Sequence, residues 1–235
     1  MTKQFVISSG HGDKVSGAIG VLNEHTEAKK VVNKVYSILT TKYNGVGFKF
    51  HETKATTQQQ NLSNIVAYHN GKKRDLDLSI HFNSGVATAT GSECLYYDAK
   101  SLSAKMSKAT SGALGIADRG PKERKELYFL RNTNKPAILV EVCFVSSKKD
   151  AKAYNDKFDE LCEAIAKVIA DHLGYAKVKT TKAAKKTTSK TAGKSINQLA
   201  KEVIKGVYGN GRERQLALGD NYAAVQKEVA KLLAK

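Results

Sequence analysis

Three short apolar runs in this chain each stop on a residue that can bind a metal or carry a proton, and nothing else in the sequence restricts the fold as tightly. Phe5-Val6-Ile7 leads into Ser8-Ser9-Gly10-His11-Gly12-Asp13, Leu76-Asp77-Leu78-Ser79-Ile80 into His81, and Ala137-Ile138-Leu139-Val140 into Glu141. Apolar runs of this length, bounded by glycine and polar residues, read as strands. Strands are therefore expected near 4–8, 48–52, 77–81, 93–97 and 137–142. Helical patterns lie between them. Ala28, Val31, Val35, Ile38 and Leu39 recur at 3.6-residue spacing behind Asn23, a residue type that caps helix N-termini. Further helices are expected over 60–69, 101–114 and 158–173. This alternation points to an α/β domain, a twisted and mostly parallel sheet flanked by helices. Ligands of such sheets sit beyond the carboxyl ends of the strands, where His11, His81 and Glu141 all stand.

Glu24, at the start of the first helical stripe, adds a second carboxylate. Two imidazoles and two carboxylates are what a hydrolytic zinc site needs: three ligands that leave one position open for water, and a fourth group to act as base. Glycines on both sides of His11 let the backbone turn sharply and approach closely. Ordinary readings exist for each residue. Glu24 taken alone is a helix N-terminal acid favoured by the macrodipole, and a histidine after a strand is more often a loop residue. His25 follows Glu24 but points about 100° further round the helix. His51, His69 and His172 lack comparable settings.

The formal net charge of +17 draws the chain towards polyanions, with nucleic acid and the anionic polymers of a Gram-positive wall as the two candidates. A nucleic-acid role leaves the placement of the histidines and glutamates unexplained. The charge concentrates in Ala176–Lys194, where seven lysines, threonines and alanines occur with no acid. Such a segment cannot bury enough surface to offset its ordering entropy, so it reads as an extended linker. The expected organisation is a catalytic domain over 1–175, the linker over 176–194 and a small three-helix module over 195–235. In that module Ile196, Leu199, Ala200, Val203 and Ile204 form a helical stripe, and shorter helices are expected over 212–218 and 222–233. Three cysteines, none in a C-x-x-C pair, argue against a disulfide framework and against a thiolate zinc site. No stretch reaches the ~20 apolar residues of a membrane helix. The first residues lack the pattern of a signal peptide, so the chain is expected to be held in a bacterial cytoplasm until released to the wall.

At these residues the sequence resembles the zinc-dependent N-acetylmuramoyl-L-alanine amidases of the amidase-3 family, in their phage endolysin form. The motifs are Gly10-His11-Gly12, Asn23-Glu24-His25, Ser79-Ile80-His81-Phe82-Asn83 and Glu141-Val142-Cys143-Phe144-Val145, with Gly91-Ser92-Glu93 and Arg119-Gly120-Pro121 between them. They run in order from the N-terminus to about residue 173. The resemblance implies His11, Glu24 and His81 as zinc ligands and Glu141 as the catalytic acid and base. It implies cleavage of the amide that joins N-acetylmuramic acid to L-alanine in peptidoglycan. A zinc peptidase cutting within the stem peptide or cross-bridge is the alternative. One departure is Asp13, which follows Gly-His-Gly directly where many bacterial members carry another glycine. The tail is similar to the cell-wall-binding repeat that ends some pneumococcal-phage lysozymes, through Leu199-Ala200-Lys201-Glu202-Val203-Ile204-Lys205-Gly206, Tyr208-Gly209-Asn210-Gly211 and Tyr222-Ala223-Ala224-Val225-Gln226. That likeness implies wall contacts at Tyr208, Arg214 and Tyr222, with Tyr208 standing where the repeat usually has tryptophan.

Overall fold

The computed structural model describes residues 2–178, 191, 193–209 and 211–233. Most of the expected linker, and Asn210, lie outside them. The chain divides into two compact units, Met1–Lys177 and Val178–Lys235.

In the first unit the elements run β1 (Gln4–Ser9), α1 (Glu24–Lys42), β2 (Val46–Phe50), α2 (Gln58–Asn70), β3 (Leu76–Asn83), β4 (Ser92–Tyr96), α3 (Lys100–Leu114), β5 (Asp118–Glu123), α4 (Tyr128–Asn132), β6 (Ala137–Phe144), α5 (Lys148–Asp156) and α6 (Phe158–Leu173). The six strands form one sheet in the order β2-β1-β3-β6-β4-β5. β2, β1, β3 and β6 are mutually parallel, joined by helical crossovers. β4 runs antiparallel to β6, and β5 parallel to β4. The reversal has a local cause: only the helix-free segment 84–91 separates β3 from β4, which is too short for a parallel crossover. Asn23 caps α1, its Oδ1 accepting the Thr26 N–H at 2.9 Å. Gly174 ends α6 in the left-handed region at φ +76°.

Strand side chains alternate between two cores. Leu76, Leu78, Ile80 and Phe82 of β3 and Ile138, Val140 and Val142 of β6 pack with residues of α1, α3 and α6. Leu95, Ala137 and Leu139 face the other way, against Ile65 and Val66 of α2 and Phe129 and Leu130 of α4. Under α2 this second face carries a polar network. His69 Nδ1 lies 2.8 Å from Asp77 Oδ1 and Nε2 lies 3.0 Å from Ser8 Oγ, while Arg74 Nη2 donates to Asp77 Oδ2 at 2.8 Å. Ser8, His69 and Asp77 are fully buried, so this serine–histidine–aspartate set ties α2 to the sheet and is closed to any substrate. Cys94, Cys143 and Cys162 are free and have no exposed surface, as expected of packing residues.

β5, α4 and α5 were not expected from the sequence. β5 is a polar edge strand, Asp118-Arg119-Gly120-Pro121-Lys122-Glu123, with no apolar alternation to betray it. α4 spans five residues, too few for a helical period. α5 buries only Asp150, Ala151 and Tyr154. β2 ends at Phe50, two residues before the expected boundary.

In the second unit α7 (Ile196–Ile204), α8 (Gly211–Leu218), a 3-10 turn (Gly219–Asn221) and α9 (Tyr222–Leu233) enclose Leu199, Ala200, Val203, Tyr208, Leu218 and Val225. Ser195 and Gln198 form a reciprocal capping box at the start of α7. Among the described residues no helix is long and apolar enough to cross a membrane.

Asp150, fully buried, pins the carboxyl end of the sheet. Its Oδ1 accepts the Thr90 hydroxyl, and its Oδ2 accepts the Gly91 N–H at 3.0 Å and the Phe144 N–H at 3.1 Å. Asp150→Ala strands two buried N–H donors and the part-buried Thr90 hydroxyl and should cost about 2–5 kcal/mol of unfolding free energy in urea melts. A loss under about 1 kcal/mol would show that water replaces the carboxylate.

Candidate metal centre

His11, Glu24 and His81 converge beyond the carboxyl ends of β1 and β3, with one ligand-capable atom from each within 4.8 Å of the others. Each arrives from a different element: His11 two residues past β1, Glu24 as the first residue of α1, His81 near the end of β3. His81 Nδ1 stands 2.9 Å from Glu24 Oε1, and His11 Nε2 stands 3.4 Å from the same oxygen. Ligand atoms in a tetrahedral zinc shell with bonds of about 2.0–2.2 Å are roughly 3.3 Å apart, so this donor set fits such an ion. Burial works against a charge on Glu24, but hydrogen bonds with His11 and His81 overcome it and hold its pKa well below the ordinary carboxylate range. Its Oε2 also accepts the Ala18 N–H at 2.8 Å, and its Oε1 the Phe82 N–H at 3.2 Å.

Two glycines leave the space these side chains occupy. A Cβ on Gly10 would lie 1.8 Å from His81 Nε2. Gly17 has φ +69°, and a Cβ there would lie 2.5 Å from Glu24 Oε2 and 2.6 Å from His11 Cδ2. The His11 loop is braced from behind. Its carbonyl accepts the Ser9 hydroxyl at 3.0 Å and lies 2.9 Å from His25 Nδ1, while His25 Nε2 lies 2.8 Å from Asp13 Oδ1. Asn61 Nδ2 donates to the Gly10 carbonyl at 2.9 Å. His25 thus points away from the metal cluster, as its helical phase requires, and instead orients the backbone that carries His11. Neither this brace nor Asn61 was anticipated. The closeness of Asp13 to His11 was the one available signal.

Glu141 is the register partner of His81 in the adjacent strand, and Glu93 is the register partner of Glu141 in the next. The three share one face of the sheet across β3, β6 and β4, with neighbouring strands about 4.8 Å apart. Glu141 Oε2 is buried and has no hydrogen-bond partner. Burial raises the Glu141 pKa, the charges of Glu24 and Glu93 add to it, and Arg124 only partly opposes them, so it is pushed up to about 8. Glu93 is held by Arg119 Nε at 2.7 Å and Asn83 Nδ2 at 3.1 Å, and the Arg119 guanidinium lies over the Phe144 ring at 5.1 Å. Such a carboxyl can take a proton from one reacting atom and pass it to another near neutral pH.

The remaining histidines lie elsewhere. His51 Nδ1 is 3.2 Å from Ser9 Oγ, and burial lowers its pKa to about 4. His69 belongs to the buried network under α2.

In the second unit the Tyr208 ring is 3 % exposed and packs in the core, with its hydroxyl donating to Glu202 Oε2. A ring so enclosed cannot stack on a ligand, so the contact expected of Tyr208 is corrected to a packing role. Arg214 Nε donates to the Gly209 carbonyl at 3.0 Å. Arg214 and Tyr222 are both half-buried.

The family model described as N-acetylmuramoyl-L-alanine amidase matches residues 5–171, and the CW_7 repeat model matches residues 197–233. The chain is similar to an endolysin of Bacillus phage SPP1, 32% identical over 215 residues that cover 86% of this chain and 78% of that protein. It is also similar to an uncharacterized protein of Clostridium perfringens, 31% identical over 192 residues, 74% of this chain; the match spans only about half of that relative, 52%. Among solved structures it is similar to the catalytic domain of the N-acetylmuramoyl-L-alanine amidase CwlV from Bacillus (Paenibacillus) polymyxa var. colistinus. That likeness has 28% identity and a TM-score of 0.58, covering 73% of this chain and 98% of that one.

Gly10→Ala tests the close packing behind the cluster. The added methyl must displace the His81 ring, and zinc affinity should fall by about 10–100-fold in a competition titration against a chromophoric chelator. Unchanged affinity would mean that His81 is not held by this contact.

Proposed function

Because this chain belongs to the N-acetylmuramoyl-L-alanine amidase family, we propose that it is a peptidoglycan amidase of the endolysin kind, with His11, Glu24 and His81 holding a zinc ion and Glu141 moving the proton. The bond cut joins the lactyl group of N-acetylmuramic acid to the L-alanine nitrogen of the stem peptide. The observation that carries this reading is Glu141: a half-buried residue whose Oε2 is enclosed without a hydrogen-bond partner, in register with His81. Zinc at this site supplies a Lewis acid that polarises the scissile carbonyl and makes water a better nucleophile at neutral pH. Glu24 offers a charge already fixed by two imidazoles and two backbone N–H groups, so little rearrangement accompanies ion binding. Glu141 takes the proton from the attacking water as the new C–O bond forms. It returns that proton to the alanine nitrogen as the C–N bond breaks.

The proposed division of labour is a catalytic domain over 1–175, a basic tether over 176–194 and a wall-binding module over 195–235. Arg214 and Tyr222 are the proposed wall contacts. The tether's lysines favour anionic wall polymers, and tethering converts the module's binding into high local concentration for the catalytic domain. The site of action is the cell wall of a Gram-positive host, reached from the cytoplasm on release.

Glu141→Gln should lower turnover of purified walls by at least about 10³-fold while zinc affinity and thermal unfolding stay near wild type. Retained lysis would remove Glu141 from the chemistry. Mass spectrometry of the wild-type digest should show peptides with free N-terminal alanine, released only with metal present. Cleavage within the peptides would instead mark a zinc peptidase. Arg214→Ala in the Glu141→Gln background should weaken co-sedimentation with walls several-fold, and unchanged binding would exclude Arg214 as a contact.

A further inference from the structure

We infer that the cavity between the loop at Ala87, Thr88 and Thr90 and the start of α5 at Ser146 to Lys149 receives a free carboxylate of the stem peptide, on the amine side of the scissile bond. The inference rests on the amidase reading and deepens it. The cavity has a volume of 520 Å³, enough for one or two peptide residues.

Its place in the fold comes first. Ser146 lies five residues beyond Glu141, just past the end of β6, and the Val145 N–H donates to the Asn83 carbonyl at 2.8 Å beside the end of β3. The loop that feeds Glu24 into the metal cluster runs along the same wall. Gly20 sits so close that a Cβ there would lie 2.7 Å from the Val145 carbonyl oxygen, and the Val21 N–H donates to that oxygen at 2.8 Å. The cavity therefore opens at the same end of the sheet as the reacting groups. β6 advances about 10 Å between Glu141 and Phe144. The cavity lining begins two residues further on, at Ser146, within reach of the first few residues of an extended peptide at roughly 3.3–3.6 Å each.

The chemistry of the lining comes second. Thr90 Oγ1 is committed to Asp150, and Ser147 Oγ accepts the Asp150 N–H at 3.3 Å as the cap of α5. The Asp150 carboxylate itself is turned inward to Thr90, Gly91 and Phe144. Ser146 Oγ is buried with no hydrogen-bond partner. Lys148 and Lys149 are exposed, and neither has an ion-pair partner among the described residues. The two exposed ammonium groups, with the exposed Thr88 on the opposite loop, make this a lining that recognises an anion. Beside it Ile19, Val21 and Val86 are 69%, 52% and 72% exposed, an apolar rim suited to the rest of a short peptide.

The test uses the full chain loaded with zinc and two synthetic muramoyl-L-alanyl peptides of equal length. One carries a free carboxylate on its second residue, the other a carboxamide there. Wild type should prefer the carboxylate form by about tenfold in kcat/KM, the difference lying in KM. Lys148→Ala with Lys149→Ala should bring the two substrates within about twofold of each other. Lys105→Ala with Lys108→Ala removes the same charge from α3, away from the cavity, and should keep the preference. A wild-type enzyme indifferent to the carboxylate, or a preference that survives in the 148/149 variant or vanishes in the 105/108 variant, overturns the inference. Failure of the folded, zinc-loaded wild type to cut either peptide after the muramoyl group would instead strike the amidase reading beneath it.

Discussion

The register between β3 and β6 is the constraint on which the chemistry depends. His81 opposes Glu141 only because Leu78 opposes Ile138 and Ile80 opposes Val140 below them. A slip of β6 by one residue would turn its apolar side chains out of one core and into the other, and would send Glu141 to the wrong face. Both faces are covered, so that error is costly and the register is held by the whole interior. The site inherits its precision from packing that makes no contact with substrate. The same alignment sets Glu93 beside Glu141 on β4 and makes a row of three ionisable groups across the sheet.

Two glutamates of the site illustrate how environment divides one functional group into two roles. Glu24 meets two imidazoles and two backbone N–H groups, and stays charged. Glu141 meets burial and two other carboxylates, and holds its proton far more tightly. One is suited to a fixed counter-charge and the other, in the proposed reaction, to carrying a proton, without any difference in covalent chemistry. Asp13, His25 and Asn61 extend this logic outward by holding the backbone on either side of His11.

The sequence displayed the parts of the fold that obey a simple period. The runs ending at His11, His81 and Glu141 are buried on both faces, and the stripe from Ala28 to Leu39 lies wholly in the core, so hydrophobicity alone marked them. The His11, Glu24 and His81 cluster was visible because strand ends concentrate chemistry, and the family likeness raised Glu24 above an ordinary helix-start acid. What escaped notice lacks a period. β5 is polar and at an edge, α4 is one short turn, and α5 is a lysine-rich helix that buries only Asp150, Ala151 and Tyr154. Tyr208 misled for the opposite reason. Its place in a recognised motif suggested a binding surface, whereas burial in so small a core requires every large ring the module has. The bracing of His11 by His25 is a through-space fact that neither spacing nor composition encodes.

All three thiols of the first unit are enclosed in its interior, on β4, β6 and α6. An alkylating reagent can therefore reach them only when the sheet and its covering helix part company. The native chain carries its own reporter of global opening: the rate at which Cys94, Cys143 and Cys162 are modified together counts cooperative excursions to the unfolded state, and a thiol that reacts ahead of the other two marks the element that detaches first.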